Sequence, residues 1–447
     1  MSPSDTAPPG VIEKLVRRLA LIERHETAAV VIGFAYFFCL FMSYSLLRPI
    51  RETMGIAGGV ENLPWMFTAT FVVMLAAMPL FGLVSARFRR IVVAPWVNGF
   101  FVLNLIAFAT LFWLSPDNVW VARVFYIWLS VFNLFVLSIA WSVMADAFRP
   151  EQARRVFAFM AGGISTGGLL GPLVTTALVE YIGHAGLIVL ATVLLAATIL
   201  CVRYLFVWRS RAGAASDPRS AAANENPQRA IGGNPFAGFT LVVRTPYLLG
   251  IAAFVLLLTS ANTFLYFDQA HLVEAAYPDK HDQTQVFGTI DATVQTLALL
   301  IQLAITGHVA SRLGLAVLLT SVPLIMVGGF LALASAPVFG VLAVVMVIRR
   351  VGEYALLRPG REMLFTTVDV ESKYKAKNFI DTVVYRGGDF VTGWLKTGLD
   401  ALGQGMGFVA VIGAALAGVW AWVAFRLGRE HEVRARARTP PAQSAPA

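Results

Sequence analysis

Long apolar segments recur along the whole chain, and they limit its possible fold more than any other feature. About twelve segments are long and apolar enough to cross a bilayer core of about 30 Å. Only 14% of the residues are charged and 57% are hydrophobic, whereas a soluble domain carries roughly 25% charged residues. We therefore predict an all-α polytopic membrane protein. The predicted spans 1 to 12 are residues 27–50, 64–84, 91–114, 119–144, 156–180, 184–207, 247–267, 284–306, 314–334, 337–365, 378–398 and 405–426.

Basic residues concentrate in alternate loops between these spans. The sequences "ARFRR" (86–90) and "ESKYKAK" (371–377) lie on one side, whereas opposite loops such as "SPDN" (115–118) are short or acidic. This is the positive-inside pattern, and it predicts a multi-pass protein of a bacterial inner membrane with both termini in the cytoplasm. The predicted domains are a cytoplasmic amphipathic N-terminus (1–26), a six-helix half (27–207), a central cytoplasmic linker (208–246), a second six-helix half (247–426) and a basic cytoplasmic tail (427–447).

The two halves share a short loop sequence. Residues 82–87 read "GLVSAR" and residues 307–312 read "GHVASR". Both resemble the glycine-and-basic loop of the major facilitator superfamily, whose plan is two six-helix halves joined by a cytoplasmic loop. That resemblance implies a substrate site near mid-membrane between the repeats, with spans 1, 4, 7 and 10 around the cavity.

A second repeat places charges at corresponding points of spans 1 and 10. Residues 44–53 read "YSLLRPIRET" and residues 354–363 read "YALLRPGREM". Charges at this depth cost roughly 2.5–3.5 kcal/mol each at a helix centre. The arginines either extend to the interface and pair structurally, or they bind an anion, for which the planar guanidinium is well suited.

Helical spacing suggests how these charges are divided. In each copy the first arginine and the glutamate are four residues apart, so Arg48 is predicted to pair with Glu52 and Arg358 with Glu362. The second arginine of each copy is then left in excess. We predict that an organic anion contacts these motifs and the polar centre of span 4. The predicted substrate-binding residues are Tyr44, Arg48, Arg51, Glu52, Asn133, Tyr354, Arg358, Arg361 and Glu362.

Further ionisable residues lie inside spans 8 and 11. Span 8 contains Asp291, and span 11 contains Asp381, Arg386 and Asp389. The acids either pair with the surplus arginines or include a proton-coupling site, and the sequence leaves both alternatives open.

Other functional classes find little support. The six histidines form no ligand set, and Cys39 and Cys201 lie in separate apolar runs without metal-ligand spacing. The glycine-rich "GGISTGGLLG" (162–171) lacks the ending of a phosphate-binding loop, and its small residues at spacing four predict a helix-packing seam. We therefore predict no enzyme, no metal, no cofactor and no nucleic-acid partner.

Three stretches also resemble a known transporter family. "LLRPIRETMG" (46–55), "EQARRVFAF" (151–159) and "RPGREMLFTTVDVESKYKAKNFIDTVVYRGGD" (358–389) are similar to the ATP/ADP translocase family of plastids and intracellular bacteria, and to its bacterial NTP/NDP exchange transporter-like relatives. The family's basic-acidic-threonine motif in helix 1 reads Arg51-Glu52-Thr53 here, and its Lys-Glu motif in helix 10 reads Arg361-Glu362. The resemblance implies that Arg51 and Arg361 recognise phosphates.

The family's intramembrane glutamates in helices 4 and 7 have no counterpart in this sequence. Span 4 has Asn133 as its polar centre, and span 7 has Asp268 near its outer end. These two positions are where the sequence departs from the family pattern.

Together these features predict a monomeric secondary transporter in the lipid bilayer. It would exchange an organic anion, such as a nucleotide or another phosphorylated solute, by alternating access. One alternative is a proton-coupled transporter of a non-nucleotide metabolite (a peptidoglycan fragment, a siderophore or a drug) that uses Asp291, Asp381 or Asp389. Another is a membrane sensor or assembly partner that does not transport.

Overall fold

The computed structural model describes residues 26–87, 90–148, 150–214, 238–403 and 405–438. Almost all of them are helical, and the helices follow the predicted order of spans. Most of the predicted N-terminal segment, the centre of the linker and the last nine residues lie outside the described residues. The helices are Thr27–Ala57 (span 1), Leu63–Arg87 (span 2), Arg90–Leu114 (span 3), Val119–Ala147 (span 4), Pro150–Ala214 (spans 5 and 6), Phe239–Arg244, Pro246–Ala276 (span 7), Lys280–Ile301 with Gln302–Thr306 and Gly307–Arg312 (span 8), Gly314–Ser335 (span 9), Phe339–Gly352 with Glu353–Leu357 and Arg358–Leu364 (span 10), Val370–Phe379 with Ile380–Val384 and Tyr385–Ala401 (span 11), and Met406–Arg438 (span 12).

The prediction of a polytopic helical membrane protein is confirmed. Among the described residues, nine helices are long and apolar enough to cross a membrane. One of them, Pro150–Ala214, is broken at Gly183, whose φ of 63° and ψ of −177° are not helical. It therefore supplies both span 5 and span 6. Spans 10 and 11 complete the predicted order, although each is divided by a π-helical turn and carries several charges.

Several helices extend beyond the predicted spans. The prediction ended span 1 at residue 50, but the helix continues through Pro49 to Ala57. The charged motif of span 1 therefore lies inside a helix and not at its end. A proline removes one backbone donor, and the Thr175 hydroxyl donates a hydrogen bond of 3.0 Å to the carbonyl of Leu46 beside it. Span 12 likewise continues as a helix through the predicted basic tail to Arg438.

The chain forms two compact units. The first contains span 1 up to Arg51, residues 83–121 and residues from Trp128 to the end of span 6; the second contains residues 52–82, residues 122–127 and the chain from the short helix before span 7 onward. The two six-helix halves and their boundaries, as drawn from the sequence, stay a prediction.

In the first unit, spans 1 and 5 pack through the glycine seam predicted from "GGISTGGLLG". A Cβ on Gly163 would lie 2.5 Å from the Phe34 carbonyl oxygen, and one on Gly167 would lie 2.6 Å from that of Phe38. A Cβ on Gly171 would lie 2.5 Å from the Cβ of Ser45. The absence of side chains lets the two backbones touch, as is common between membrane helices.

We expect Gly167→Ala to destabilise the protein by roughly 1–3 kcal/mol because the added methyl group overlaps the backbone of span 1. Thermal unfolding in detergent measures the effect. Gly99→Ala in span 3 is the matched control, since no described atom outside its own helix lies within 4 Å of the new Cβ. There alanine should be neutral or stabilising, because it favours helix by roughly 1 kcal/mol over glycine. Equal effects of the two substitutions would contradict the seam.

In the second unit, spans 7, 9, 10 and 12 enclose an apolar core. Trp420, Phe254 and Phe330 are fully buried in it. The Tyr247 hydroxyl donates a hydrogen bond of 2.9 Å to the carbonyl of Leu364, which holds the C-terminal end of span 10 against the start of span 7. This packing fixes the rotation of span 10, on which Tyr354, Arg358, Arg361 and Glu362 lie.

Candidate functional site

In the first unit, the candidate residues lie on both sides of the proline of span 1 and in span 4. Arg51 donates a hydrogen bond of 3.3 Å to the hydroxyl of Ser130 in span 4. Tyr44, Arg48 and Asn133 are half-buried. About two turns before Arg51 in span 1, the buried Ser43 hydroxyl donates to the Ala191 carbonyl at 2.8 Å, so span 1 is held on two sides. The pairing of Arg48 with Glu52 stays a prediction.

In the second unit, Glu52 lines a narrow crevice together with Tyr266, Gln269 and Phe287. The next residue, Thr53, is buried, and its hydroxyl is 2.7 Å from that of Thr284 in span 8. The motif of span 1 therefore continues into a polar contact with the start of span 8.

The centre of the candidate site in span 10 is Glu353. Its carboxylate accepts a hydrogen bond of 2.9 Å from Arg349 and lies 3.5 Å from a guanidinium nitrogen of Arg358. Arg349 and Glu353 are buried, whereas 58% of the Arg358 side chain is exposed. The Arg358 guanidinium stacks on the Tyr354 ring, with 4.3 Å from Cζ to the ring centroid. One carboxylate is thus shared by a buried and an exposed arginine.

A π-helical turn at Glu353–Leu357 creates this arrangement. Its i to i+5 spacing brings Glu353 and Arg358 together, and π-turns occur frequently at functional sites. The π-turn of span 8 supports it: Gln302 donates to the Tyr354 carbonyl at 2.9 Å, and Thr306 donates to the Ala355 carbonyl at 2.9 Å.

The predicted pairing of Arg358 with Glu362 is therefore wrong. Glu362 instead accepts hydrogen bonds of 2.8 and 2.6 Å from Lys377 in span 11. Arg358 and Glu362 do lie four residues apart in one α-helix, Arg358–Leu364, but their side chains contact other partners. The π-turn places Arg358 beside the residue five positions before it.

The excess arginine predicted for span 10 also has an acidic neighbour. Arg361 lies 3.4 Å from a carboxylate oxygen of Asp381, which belongs to the π-turn of span 11. Both side chains are partly exposed. The more exposed guanidinium is therefore that of Arg358, with the Arg361–Asp381 pair one turn further along.

The other predicted acids also lie beside arginines. Asp291 in span 8 forms an ion pair of 2.5 Å with Arg350, and both are buried. Asp389 lies 3.5 Å from Arg386 and accepts a hydrogen bond of 3.1 Å from Thr263. Asp381 thus lies beside a predicted surplus arginine, Arg361, whereas Asp291 and Asp389 lie beside other arginines. A role of these acids in proton coupling stays a prediction.

The sequence analysis missed one buried ionic cluster. The Nζ atom of Lys396 in span 11 lies 3.0 Å from a carboxylate oxygen of Asp268 in span 7 and 2.7 Å from one of Asp400. Only 3% of the Lys396 side chain is exposed. Asp268 is 2% exposed and Asp400 is 37% exposed. A lysine inside an apolar span, with an acid four residues later, is a signal that could have indicated this cluster.

Charged side chains inside membrane helices are rare, and they mark substrate or ion pathways when they occur. The helical fold and the interior charges together define this protein as a polytopic membrane transporter. The sequence model of the Major Facilitator Superfamily matches residues 9–359. The chain belongs to the Major Facilitator Superfamily.

Similar proteins agree with this assignment. The chain is 23% identical to ADP,ATP carrier protein 1 of Chlamydia trachomatis serovar D, over 91% of this chain and 89% of that protein. The fold is similar to that of the POT family transporter PepTSo, with a TM-score of 0.64 and 13% identity over 91% of this chain and 98% of that one. It is also similar to a bacterial homologue of the iron transporter ferroportin, with a TM-score of 0.61 and 14% identity over 91% and 98% of the two chains.

Proposed function

We propose that this transporter exchanges one organic anion for another across a bacterial inner membrane by alternating access. The observation that carries the proposal is the sharing of Glu353 by two arginines, one of which is exposed. Arg358 reaches the surface of the cluster, whereas Arg349 and Glu353 are buried. An anion can therefore approach the Arg358 guanidinium.

The position of Arg358 supports a water-filled binding site. An arginine facing lipid in a membrane helix is costly, so charged side chains in such helices face the bundle interior or an aqueous cavity. Stacking on Tyr354 occupies the face of the guanidinium, so an anion would approach the edge that carries the N–H groups. Those groups match the two oxygens of a carboxylate or phosphate.

Arg361 and Arg51 are the other cations in the proposal. Arg361 lies beside Asp381 on the same side of the π-turn of span 10 as Arg358, and an incoming anion would compete with the Asp381 carboxylate for it. Arg51 occupies the matching position of the repeated motif in span 1. We propose both as phosphate contacts, with Tyr44, Arg48, Glu52, Asn133, Tyr354 and Glu362 as further contacts.

A phosphorylated anion is favoured over a simple carboxylate. The similar protein from Chlamydia trachomatis is named an ADP,ATP carrier, and guanidinium groups on successive helical turns suit an extended, multiply charged group such as a di- or triphosphate. We therefore propose a nucleotide or another phosphorylated solute as the substrate. Both termini would lie in the cytoplasm, as the distribution of basic loops favours.

Uptake into liposomes tests the class of substrate. Purified protein is reconstituted, and labelled nucleotides, sugar phosphates, dicarboxylates and uncharged nucleosides are compared at equal concentration. We expect saturable uptake of at least one phosphorylated anion and none of its uncharged counterpart. Uptake confined to uncharged or cationic solutes would contradict the proposal. Absence of uptake and of binding across the panel would favour a sensor or an assembly partner.

A further inference from the structure

The last helix is longer than a membrane span requires. Span 12 contains 33 residues, which at about 1.5 Å per residue extend roughly 50 Å, whereas the hydrocarbon core of a bilayer is about 30 Å thick. Several turns therefore lie beyond the hydrocarbon core. Their two faces differ in chemistry.

The last turns of span 12, from Arg426 to Arg438, are called the extension here, and one face of it packs against the rest of the second unit. Glu432 accepts a hydrogen bond of 3.3 Å from the backbone of Ala316 at the start of span 9. His431 is buried, with its Nε2 3.2 Å from the Thr366 hydroxyl, and Arg434 stacks on Tyr247 at 4.3 Å. A side chain on Gly428 would overlap the backbone of Ala316. These contacts fix the rotation of the extension, so its other face has a defined direction.

The opposite face changes from apolar to basic along the helix. Its exposed residues from Phe408 to Phe425 are apolar or small, and this stretch covers roughly 27 Å. That length matches the hydrocarbon core. The stripe then continues with exposed Arg426, Arg429, Val433 and Arg436, so three of its next four residues are basic. The change from apolar to basic residues therefore falls where the headgroup phosphates begin.

Aromatic rings hold the first two of these arginines at that level. The guanidinium Cζ of Arg426 lies 5.2 Å from the centroid of the Trp422 ring, and the Cζ of Arg429 lies 6.0 Å from the centroid of the Phe425 ring. Both rings are about half exposed, as is usual for aromatic residues at a membrane interface. The nearby acid, Glu430, forms an ion pair of 2.7 Å with Arg434, and not with Arg426 or Arg429.

We propose that Trp422, Phe425, Arg426 and Arg429 form a binding site for the headgroup of an anionic phospholipid. The ring pair lies against the upper acyl chain and glycerol, and the guanidinium groups donate to the phosphate. Charge complementarity favours an anionic lipid over a zwitterionic one. Because the same helix is docked on spans 7, 9 and 10, lipid bound here stabilises the cytoplasmic end of the second unit.

The test compares thermal unfolding of the full chain in detergent micelles containing phosphatidylglycerol or phosphatidylcholine. We expect phosphatidylglycerol to raise the midpoint above the value in phosphatidylcholine, and Arg426→Gln/Arg429→Gln to lose at least half of that difference. Arg209→Gln/Arg211→Gln is the matched control, because it removes the same charge from exposed positions at the end of span 6. It should keep the difference.

Three results would overturn the site. The first is an unchanged effect of phosphatidylglycerol on the midpoint of Arg426→Gln/Arg429→Gln, and the second is an equal loss of that effect in the control variant. The third is a lower midpoint of Arg426→Gln/Arg429→Gln already in phosphatidylcholine, which would show that these arginines stabilise the fold without anionic lipid. Sodium phosphate at the same phosphate concentration should give no shift. An equal shift with free phosphate would indicate an anion site and not a lipid site.

Discussion

Replacing Arg358 by glutamine should lower transport of the organic anion about a hundredfold, measured as the ratio of maximal rate to half-saturation concentration in liposomes. The substitution removes the exposed guanidinium of the cluster around Glu353. Loss of one charged contact to a bound anion costs about 2–5 kcal/mol, and a hundredfold change corresponds to ~2.7 kcal/mol. The buried Arg349–Glu353 pair remains in place, so the fold should persist.

Two further variants separate this effect from a general loss of charge. Arg358→Lys keeps the charge but not the bidentate fork, and it should restore part of the transport. Arg209→Gln removes the same charge from an exposed position at the end of span 6, and it should transport normally. Normal transport by Arg358→Gln, or an equal loss in Arg209→Gln, would contradict the assignment of Arg358.

The second large effect is on stability, at the cluster that links spans 7 and 11. Lys396→Met should lower the free energy of unfolding by about 3–5 kcal/mol, because it leaves the carboxylate of Asp268 buried without its ammonium neighbour. The thermal unfolding midpoint of the purified protein in detergent measures this loss.

A second substitution tests the physical reason. In Lys396→Met/Asp268→Asn the buried charge is gone, and most of the lost stability should return. Asp400→Asn removes the other carboxylate, which is partly exposed. It should cost less than about 1 kcal/mol, as is typical of solvated ion pairs. If the double variant is no more stable than Lys396→Met, an unpaired charge is not the cause.

The sequence predicted the fold well because the signal is local. Each span needs only its own run of apolar residues, and the seam of Gly163, Gly167 and Gly171 needs only their spacing. The limits of span 1 were harder to place. A proline and two arginines resemble the end of a span, whereas the hydroxyl of Thr175, from a distant part of the sequence, supports the helix beyond Pro49.

The charge pairs were harder to predict because their partners come from other helices. Spacing along span 10 suggested that Arg358 and Glu362 neutralise each other, and it could not reveal the π-turn that brings Arg358 to Glu353. The register between spans 10 and 11 places Arg361 beside Asp381 and Glu362 beside Lys377. This register depends on tertiary packing. The same applies to Lys396 and Asp268. The sequence thus indicated which residues carry charge, but not how the charges are shared.

Counterflow in reconstituted liposomes tests the central claim of anion exchange most directly. Liposomes loaded with an unlabelled phosphorylated anion are diluted into its labelled form, with and without a proton uncoupler. The proposal predicts one-for-one uptake of label that requires internal anion and is insensitive to the uncoupler. Uptake into empty liposomes that depends on an imposed proton gradient, and disappears with the uncoupler, would contradict exchange and would support proton coupling through Asp291, Asp381 or Asp389.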